Sequence, residues 1–424
     1  MKTKTRSHKY VLRLPAVLPT RPGRASLRSG RFSRTRLPPR APDEARKKRP
    51  SEARRCINQY GRLFVKCLFQ SRDSRERSAA SEPLTAKKPC RVKHFVIFLL
   101  LAVLALGVPA PASGPEILRY EESMDAMGST YSLILYGQDR VKLQNAVDLA
   151  FEEVKRLDRM LSNYRPESEW SQVNQYAAEH PVHVSRELFD LLSACVEYSR
   201  ASDGAFDISV GPLMKVWGFY KGSGHLPHRA EIRGALDKVG YRNLILDRNA
   251  LTVRYRKSGV EIDPGGIGKG YAVDRVADIL RKNGIQSGLI TAGGSSIYAI
   301  GAPPNEQRGW RISIRHPKDA NRTVQEVFLK DESMSTSGSY EKFFRAEGRI
   351  YSHLMDPRTG YPAPGMLSVS VITPMTIDSE AWAKPFFING RKWTAEHKPK
   401  GFRVYLCPDQ PSEAGTDHAC AWLQ

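Results

Sequence analysis

Apolar and polar positions change period several times along this chain, and each change marks an element. Tyr131-Ser-Leu-Ile-Leu-Tyr136 alternates and predicts a strand. Over 141–161 the apolar residues return every three to four positions. Leu143, Val147, Ala150, Val154, Leu157 and Leu161 make one stripe of an amphipathic helix. A second helix is predicted over 186–199, with Leu188, Leu191, Leu192 and Cys195 on its apolar face, and a third over 272–283. Strands follow at 288–291, 310–315, 324–329 and 367–372, and a helix begins near Ser379. Helices fall irregularly among the strands, without the βαβ alternation of a parallel sheet. The pattern predicts an α+β fold of mainly antiparallel strands with packed helices, and shows no internal repeat.

Charge changes the picture only at the N-terminus. The formal net charge of +22 points first to nucleic acid or an acidic membrane. About 27 of the 66 Lys and Arg, but only about 6 of the 44 Asp and Glu, lie in residues 1–93, which leaves the remainder near neutral. A nucleic-acid-binding reading therefore rests on the tail alone and is set aside. That tail is Arg-, Ser- and Pro-rich without apolar periodicity, and reads as a basic, disordered extension or a misplaced start. Residues 94–112 read as a signal peptide: Arg91 and Lys93 flank an apolar run ending at Gly107, and Ala110-Pro-Ala112 supplies small residues for cleavage. The expectation is an exported, periplasmic protein, or one held at the inner-membrane surface by an uncleaved anchor. The folded body is then 113–424. Of its cysteines, Cys407 and Cys420 can pair across a C-terminal hairpin, whereas Cys195 is expected to be buried and inert.

The chemistry concentrates in glycine-rich loops. A strand-like run at 260–262 leads into Asp263-Pro-Gly-Gly-Ile-Gly-Lys-Gly-Tyr-Ala-Val-Asp274 and then a helix. Strand, glycine turn and helix start present backbone N–H groups to an anion, and Lys269 adds a full charge, so a phosphorylated ligand is indicated. A tight βα connection is the plainer reading of this turn taken alone. Other polar loops are Leu161-Ser-Asn-Tyr-Arg-Pro-Glu-Ser-Glu169, Gly211-Pro-Leu-Met-Lys-Val-Trp-Gly-Phe219, Ala292-Gly-Gly-Ser-Ser296, Ser335-Thr-Ser-Gly-Ser-Tyr340 and Ser352-His-Leu-Met-Asp-Pro-Arg-Thr-Gly360.

In that order, over about residues 118–406, these segments resemble the ApbE family of FAD:protein FMN transferases. The resemblance implies a T-fold-related flavin transferase domain. It implies FAD as substrate, cleaved at its pyrophosphate, with FMN attached to a Thr or Ser of a target flavoprotein and AMP released. Such targets include subunits of membrane redox complexes. By the same resemblance Met127 lies near the isoalloxazine, and Tyr164, Ser168 and Glu169 lie near the adenosine half. Tyr340 and Trp217 are further flavin contacts, although core packing explains Trp217 equally well. Lys269 and the turn at Gly266 and Gly268 hold phosphate, Gly293 and Gly294 line the site, and Asp263 steadies Lys269 or the loop. His353, which titrates near neutrality, is the expected proton acceptor. Its competing role is to cap the Asp-Pro-Arg-Thr turn. Asp207 is expected to fix a turn, and Asp274 to cap the helix that follows it.

One segment departs from the family. Its metal site uses an Asp, a Thr four residues later and a backbone carbonyl of the glycine turn. Here Glu380 and Lys384 stand in those places, with Gly268 supplying the carbonyl. Positions i and i+4 share a helix face, but a protonated lysine offers donors only. Three readings stay open: Mg²⁺ on Glu380 and Gly268, the Lys384 ammonium in the metal's place, or a non-catalytic FAD-binding or flavin-carrier protein. Asp378 is a further potential ligand if the helix start shifts.

Overall fold

The computed structural model describes residues 116–410 and 419–424, apart from the side chain at position 221. The chain divides into two units, 1–103 and 104–424, and every described residue belongs to the second. The basic extension and the apolar run with its cleavage site lie outside the described residues. Among the described residues no helix is long and apolar enough to cross a membrane.

One sheet organises the domain. Its eight strands are β1 (Leu118–Ala126), β2 (Ser129–Gly137), β3 (Ser287–Ala292), β4 (Ser296–Ile300), β5 (Glu332–Gly338), β6 (Met366–Thr373), β7 (Arg403–Pro408) and β8 (Ala421–Trp422). They lie side by side in chain order, and every neighbouring pair is antiparallel. The architecture is α+β.

The strands alternate between two faces, and each face is covered. Tyr298 and Ile300 of β4, Val369 and Val371 of β6, and Val404 and Leu406 of β7 join the main core. Their alternates Ile297, Ala299, Tyr405 and Cys407 pack instead with Trp310, Ile312, Ile314, Val327 and Leu329. Those last residues belong to a long hairpin, Trp310–His316 paired with Asp319–Leu329, which roofs the second face. The first face carries α1 (Arg140–Leu161), α3 (Gly268–Lys282) and α4 (Thr376–His397), while α2 (Arg186–Ala201) is joined to these helices, Glu187 accepting from Arg156 and Tyr271, and Tyr198 donating to Asp378. The stripe read for α1 is buried as expected, and Asp139 caps its first turn by accepting from the N–H groups of Val141 and Lys142.

Helix α4 sits close on β5 because the facing residues are small. Ser379 Oγ lies 3.0 Å from Ser333 Oγ and 2.8 Å from Ser335 Oγ, so the polar groups of this tight contact satisfy one another. α4 starts at Thr376, earlier than the pattern suggested, so Pro385 falls well inside it, while Gly390 (φ 74°, ψ −172°) breaks it into two segments. α3 also starts earlier, at Gly268, because the glycine turn itself winds into the helix. The run at 260–262 is no sheet strand: it contributes a single parallel bridge, Val210 to Glu261. Cys407 and Cys420 are joined in a disulfide beside the β7–β8 pairing, and Cys195 is free and buried.

Candidate active site

A cavity of about 510 Å³ opens where the β1–β2 turn, the glycine turn, the start of α3, the β3–β4 turn, α4 and the segment around His353 converge. Of the residues singled out from sequence, Met127, Tyr164, Asp207, Asp263, Gly266, Gly268, Lys269, Gly293, His353, Glu380 and Lys384 line it.

Met127 is placed by its turn. Ala126 pairs with Ser129, leaving the two-residue loop Met127–Gly128, and both residues have positive φ (51° and 68°). That is the mirror-image turn a right-twisted hairpin requires, and a non-glycine residue adopts it at a cost. The Met127 N–H donates to Asp158 Oδ1 (2.9 Å), and its sulfur accepts from Tyr131 Oη (3.2 Å). The Met127 methyl lies 3.2 Å from where a Cβ on Gly268 would be, so a side chain at 268 would push it aside.

Asp263 holds the glycine turn. Oδ1 accepts from Gly265 N–H (2.7 Å), and Oδ2 accepts from Tyr220 Oη (2.6 Å) and Asn163 Nδ2 (3.0 Å). Burial raises its pKa, and these donors oppose the shift. Of the two roles expected for it, the loop is the one it fills: Lys269 pairs elsewhere.

The partner of Lys269 is Glu380. This carboxylate is only 3% exposed. Oε2 accepts from Gly270 N–H, and Oε1 lies 3.5 Å from Lys269 Nζ and 3.8 Å from Lys384 Nζ. Lys384 Nζ also donates to the Glu380 main-chain oxygen (2.9 Å). Burial, with Lys269 nearby, lowers the Lys384 pKa to about 8 against the support of Glu380. A Cβ on Gly270 would stand 2.6 Å from Thr376 O, so glycine there lets α3 and α4 approach and keeps the N–H on Glu380.

His353 is half-buried and does not cap the Asp-Pro-Arg-Thr turn. Its Nδ1 lies 3.1 Å from Lys342 O, a contact that needs the proton on Nδ1 and leaves Nε2 as the acceptor. Burial first, then the charges of Lys342, Lys269 and Lys384, lower its pKa to about 4, so the ring is neutral at pH 7. Asp356 holds the turn instead, pairing with Arg358 (2.9 Å).

Several expected contacts lie elsewhere. Ser168 is the cap of the helix Glu169–Tyr176: its Oγ accepts from Ser171 N–H (2.9 Å) and donates to Ser162 O (2.7 Å). Glu169 Oε2 accepts from Ser185 N–H (2.6 Å) at the start of α2. Both spend their polar groups on the scaffold behind the cavity wall. Tyr164 stands at the rim, 77% exposed. Tyr340 is outside the cavity, packed on Gly338 with the Arg315 guanidinium over its ring. Gly294 turns outward beside Gly293, where any side chain would strike Ser129 Oγ. Trp217 is fully buried and donates to Gly360 O (2.9 Å), so it belongs to the core. Asp274 does not cap α3. It lies inside that helix, and its carboxylate accepts from Thr376 (2.7 Å) and Ile377 (2.8 Å) N–H, capping α4 from across the interface. Asp378 accepts from Tyr198 Oη (2.5 Å) and faces away from the cavity. Asp207 fixes a turn as expected, accepting from Ser209 N–H (2.8 Å) and Tyr241 N–H (2.6 Å).

The structure adds residues that motif reading passed over. Asn163 Oδ1 and Ser296 Oγ are buried at the cavity without a hydrogen-bond partner, the condition of groups that await a ligand or water. Asn163 and Ser296 both lay within the polar loops quoted from the sequence. Only the fold shows which atoms of those loops are left unpaired.

A divalent cation fits this donor set poorly. Mg²⁺ needs near-octahedral oxygen ligands, and Glu380 already serves Gly270 N–H and two ammonium groups. Among the described residues no group of three or more His, Cys, Asp or Glu could hold a metal. The arrangement suits a polyanion instead: Lys269, Lys342 and Lys384 face one cavity, beside the N-terminus of α3 and a neutral imidazole.

Comparison with known proteins leads to the same place. The model of the ApbE family matches residues 127–406. An FAD:protein FMN transferase of Klebsiella pneumoniae (strain 342) is 35% identical over 273 residues, which is 63% of this chain and 82% of the relative. One from Vibrio cholerae is 29% identical over 313 residues, 71% of this chain and 89% of the relative. Among solved structures, the ApbE protein of Thermotoga maritima superposes with a TM-score of 0.64 at 29% identity, covering 70% of this chain and 98% of its own. The apo flavinyl transferase ApbE of Pseudomonas stutzeri gives 0.64 at 27% identity, covering 73% and 95%. With the family model spanning most of the chain and the fold shared, this protein belongs to the ApbE family.

Proposed function

We propose that this protein is an FAD:protein FMN transferase, and the observation that carries the proposal is a neutral His353 and three lysines facing one cavity at a helix N-terminus. The name its relatives bear is the same activity. The acceptor is a target flavoprotein, and a Ser or Thr hydroxyl is its nucleophile. That oxygen attacks the FMN-side phosphorus of FAD. A new P–O bond forms, the bond between that phosphorus and the bridging oxygen breaks, and AMP leaves with the bridging oxygen. The hydroxyl proton passes to His353 Nε2, the ring nitrogen left free by the Lys342 contact.

Phosphoryl transfer of this kind asks the protein for position and charge more than for covalent chemistry. Lys269 and the N–H groups at the start of α3 face the phosphates. Met127, on its constrained turn, and Phe219, whose ring lies 6.5 Å from the His353 ring, offer apolar surface for the flavin. Asn163 and Ser296 offer unpaired oxygens for its polar edge or ribityl chain.

Membrane redox subunits are the target class this reading favours, in an exported setting. Support for export comes from the apolar run before Gly107 and, separately, from the Cys407–Cys420 disulfide, which persists in oxidising compartments. Because Glu380 and Lys384 depart from the family's metal ligands, a non-catalytic FAD carrier is the second reading. Incubating the protein with FAD and a flavoprotein acceptor separates them: AMP release with covalent flavin on the acceptor supports the transferase, and intact bound FAD supports the carrier.

A further inference from the structure

We propose that Lys384 is the resident cation of this site, so that its ammonium, seated on Glu380, neutralises the FAD pyrophosphate together with Lys269 and the transfer needs no divalent metal. The proposal rests on the transferase reading and concerns how its charge is managed.

Three observations lead to it. First, the carboxylate a metal would need already faces two ammonium groups and a backbone N–H. Glu380 Oε2 accepts from Gly270 N–H, and Oε1 is shared by Lys269 Nζ (3.5 Å) and Lys384 Nζ (3.8 Å). A cation on this carboxylate would meet two like charges, and the residue one turn on offers donors alone. Second, Lys384 is fixed. Its side chain is 19% exposed, Nζ donates to Glu380 O at 2.9 Å, and its Cε lies 3.6 Å from where a Cβ on Gly266 would be. The stem therefore lies along the glycine turn and delivers the ammonium to the cavity wall. Third, the cluster is out of balance. Two ammonium groups share one carboxylate, and the other carboxylates lining the cavity are engaged elsewhere. Asp158 is bound by Met127 N–H and Arg165, and Asp207 by Ser209 and Tyr241. Asp263 is bound by Gly265, Tyr220 and Asn163, and Glu341 by Arg315. The excess of positive charge is local to Glu380, since Asp207 and Asp263 further along the wall bond only to uncharged donors, and an anion such as a pyrophosphate set between Lys269 and Lys384 offsets it.

The test uses the full chain after EDTA treatment, with three readouts. Mn²⁺ titrated in the presence of FAD and followed by electron paramagnetic resonance is expected to show no stoichiometric site; one Mn²⁺ per protein overturns the proposal. FAD affinity, measured by flavin fluorescence, is expected to fall about tenfold or more in Lys384→Met, equally in EDTA and in Mg²⁺, with the circular dichroism unchanged. An unaltered affinity overturns the proposal. AMP release by the unmodified protein is expected to change by less than about twofold on adding EDTA, and to fall about a hundredfold in Lys384→Met. AMP release that EDTA abolishes overturns the resident cation and leaves the transferase intact. If FAD binds but no AMP appears under any condition, the transferase reading fails, and the Mn²⁺ and FAD titrations still decide what Lys384 does.

Discussion

Burial prepares His353 for its role. A histidine in water is half protonated near pH 6.5, and a base that already holds a proton accepts none. Here burial and three neighbouring ammonium groups bring the pKa to about 4. The acid limb of kcat/KM, which reports the free enzyme, is therefore expected near pH 4; a limb near 6.5 would show that the ring is not so shielded. Replacing His353 by Ala is expected to cost about 10²–10⁴ in kcat, with FAD affinity largely retained. Met127 makes a different trade. Its left-handed backbone costs roughly 1 kcal/mol or more, which Asn tolerates better in this turn. Met127→Asn is expected to raise the melting temperature slightly while weakening FAD binding. An equal or stronger FAD affinity would remove Met127 from the flavin wall. At this scale the sequence showed which residue types were present, not where their polar atoms were spent. Ser168 and Glu169 stand in a recognisable motif, yet capping and a bond to Ser185 N–H consume them. Asn163 and Ser296 look ordinary, yet keep unpaired oxygens at the cavity.

The α3–α4 junction carries most of the element-level organisation. Gly270 lets the helices touch, Glu380 of α4 accepts from the backbone of α3, and Asp274 of α3 caps α4 in return. Burial raises Asp274 to about pH 7 against its two N–H donors. The folded protein then holds this proton more tightly than the unfolded chain, so the contribution of Asp274 is fully present below about pH 4 and is lost as pH rises through about 7, a change of roughly 4 kcal/mol. Asp274→Asn removes that titration. Relative to the unmodified protein, the variant is expected to gain stability steadily from pH 4 to pH 7 in urea melts. Parallel pH profiles would show that Asp274 titrates normally. The helix stripes and alternating strands were legible because burial on one face imposes a period. Helix starts were less so, since Gly268 and Gly270 look like a turn until α4 packs on them. β1, β4, β5 and β7 went unread. β5 is rich in serine, and β4 is buried on both faces, so neither shows a simple polar and apolar alternation.

Across the whole molecule, an antiparallel sheet in chain order, covered by helices on one face and a hairpin on the other, gathers six loop and helix segments at one cavity. The disulfide closes the far edge, where β7 meets β8, across a separation of 13 residues. Replacing both cysteines by Ser is expected to lower stability by about 3 kcal/mol and leave FAD binding unchanged. A large loss of binding would tie that edge to the site. Fold class and family were legible because ordered motifs span most of the chain. The handling of charge at the pyrophosphate was not, because Glu380 and Lys384 admit several arrangements until their distances are known. The function of the whole molecule turns on the fate of FAD. The most direct measurement incubates the full chain with FAD and a peptide bearing the Ser/Thr segment of a flavinylated redox subunit, and follows AMP by chromatography and the peptide by mass spectrometry. A transferase yields AMP in equal amount to peptide that has gained FMN; FAD recovered intact, with unmodified peptide, would contradict that function.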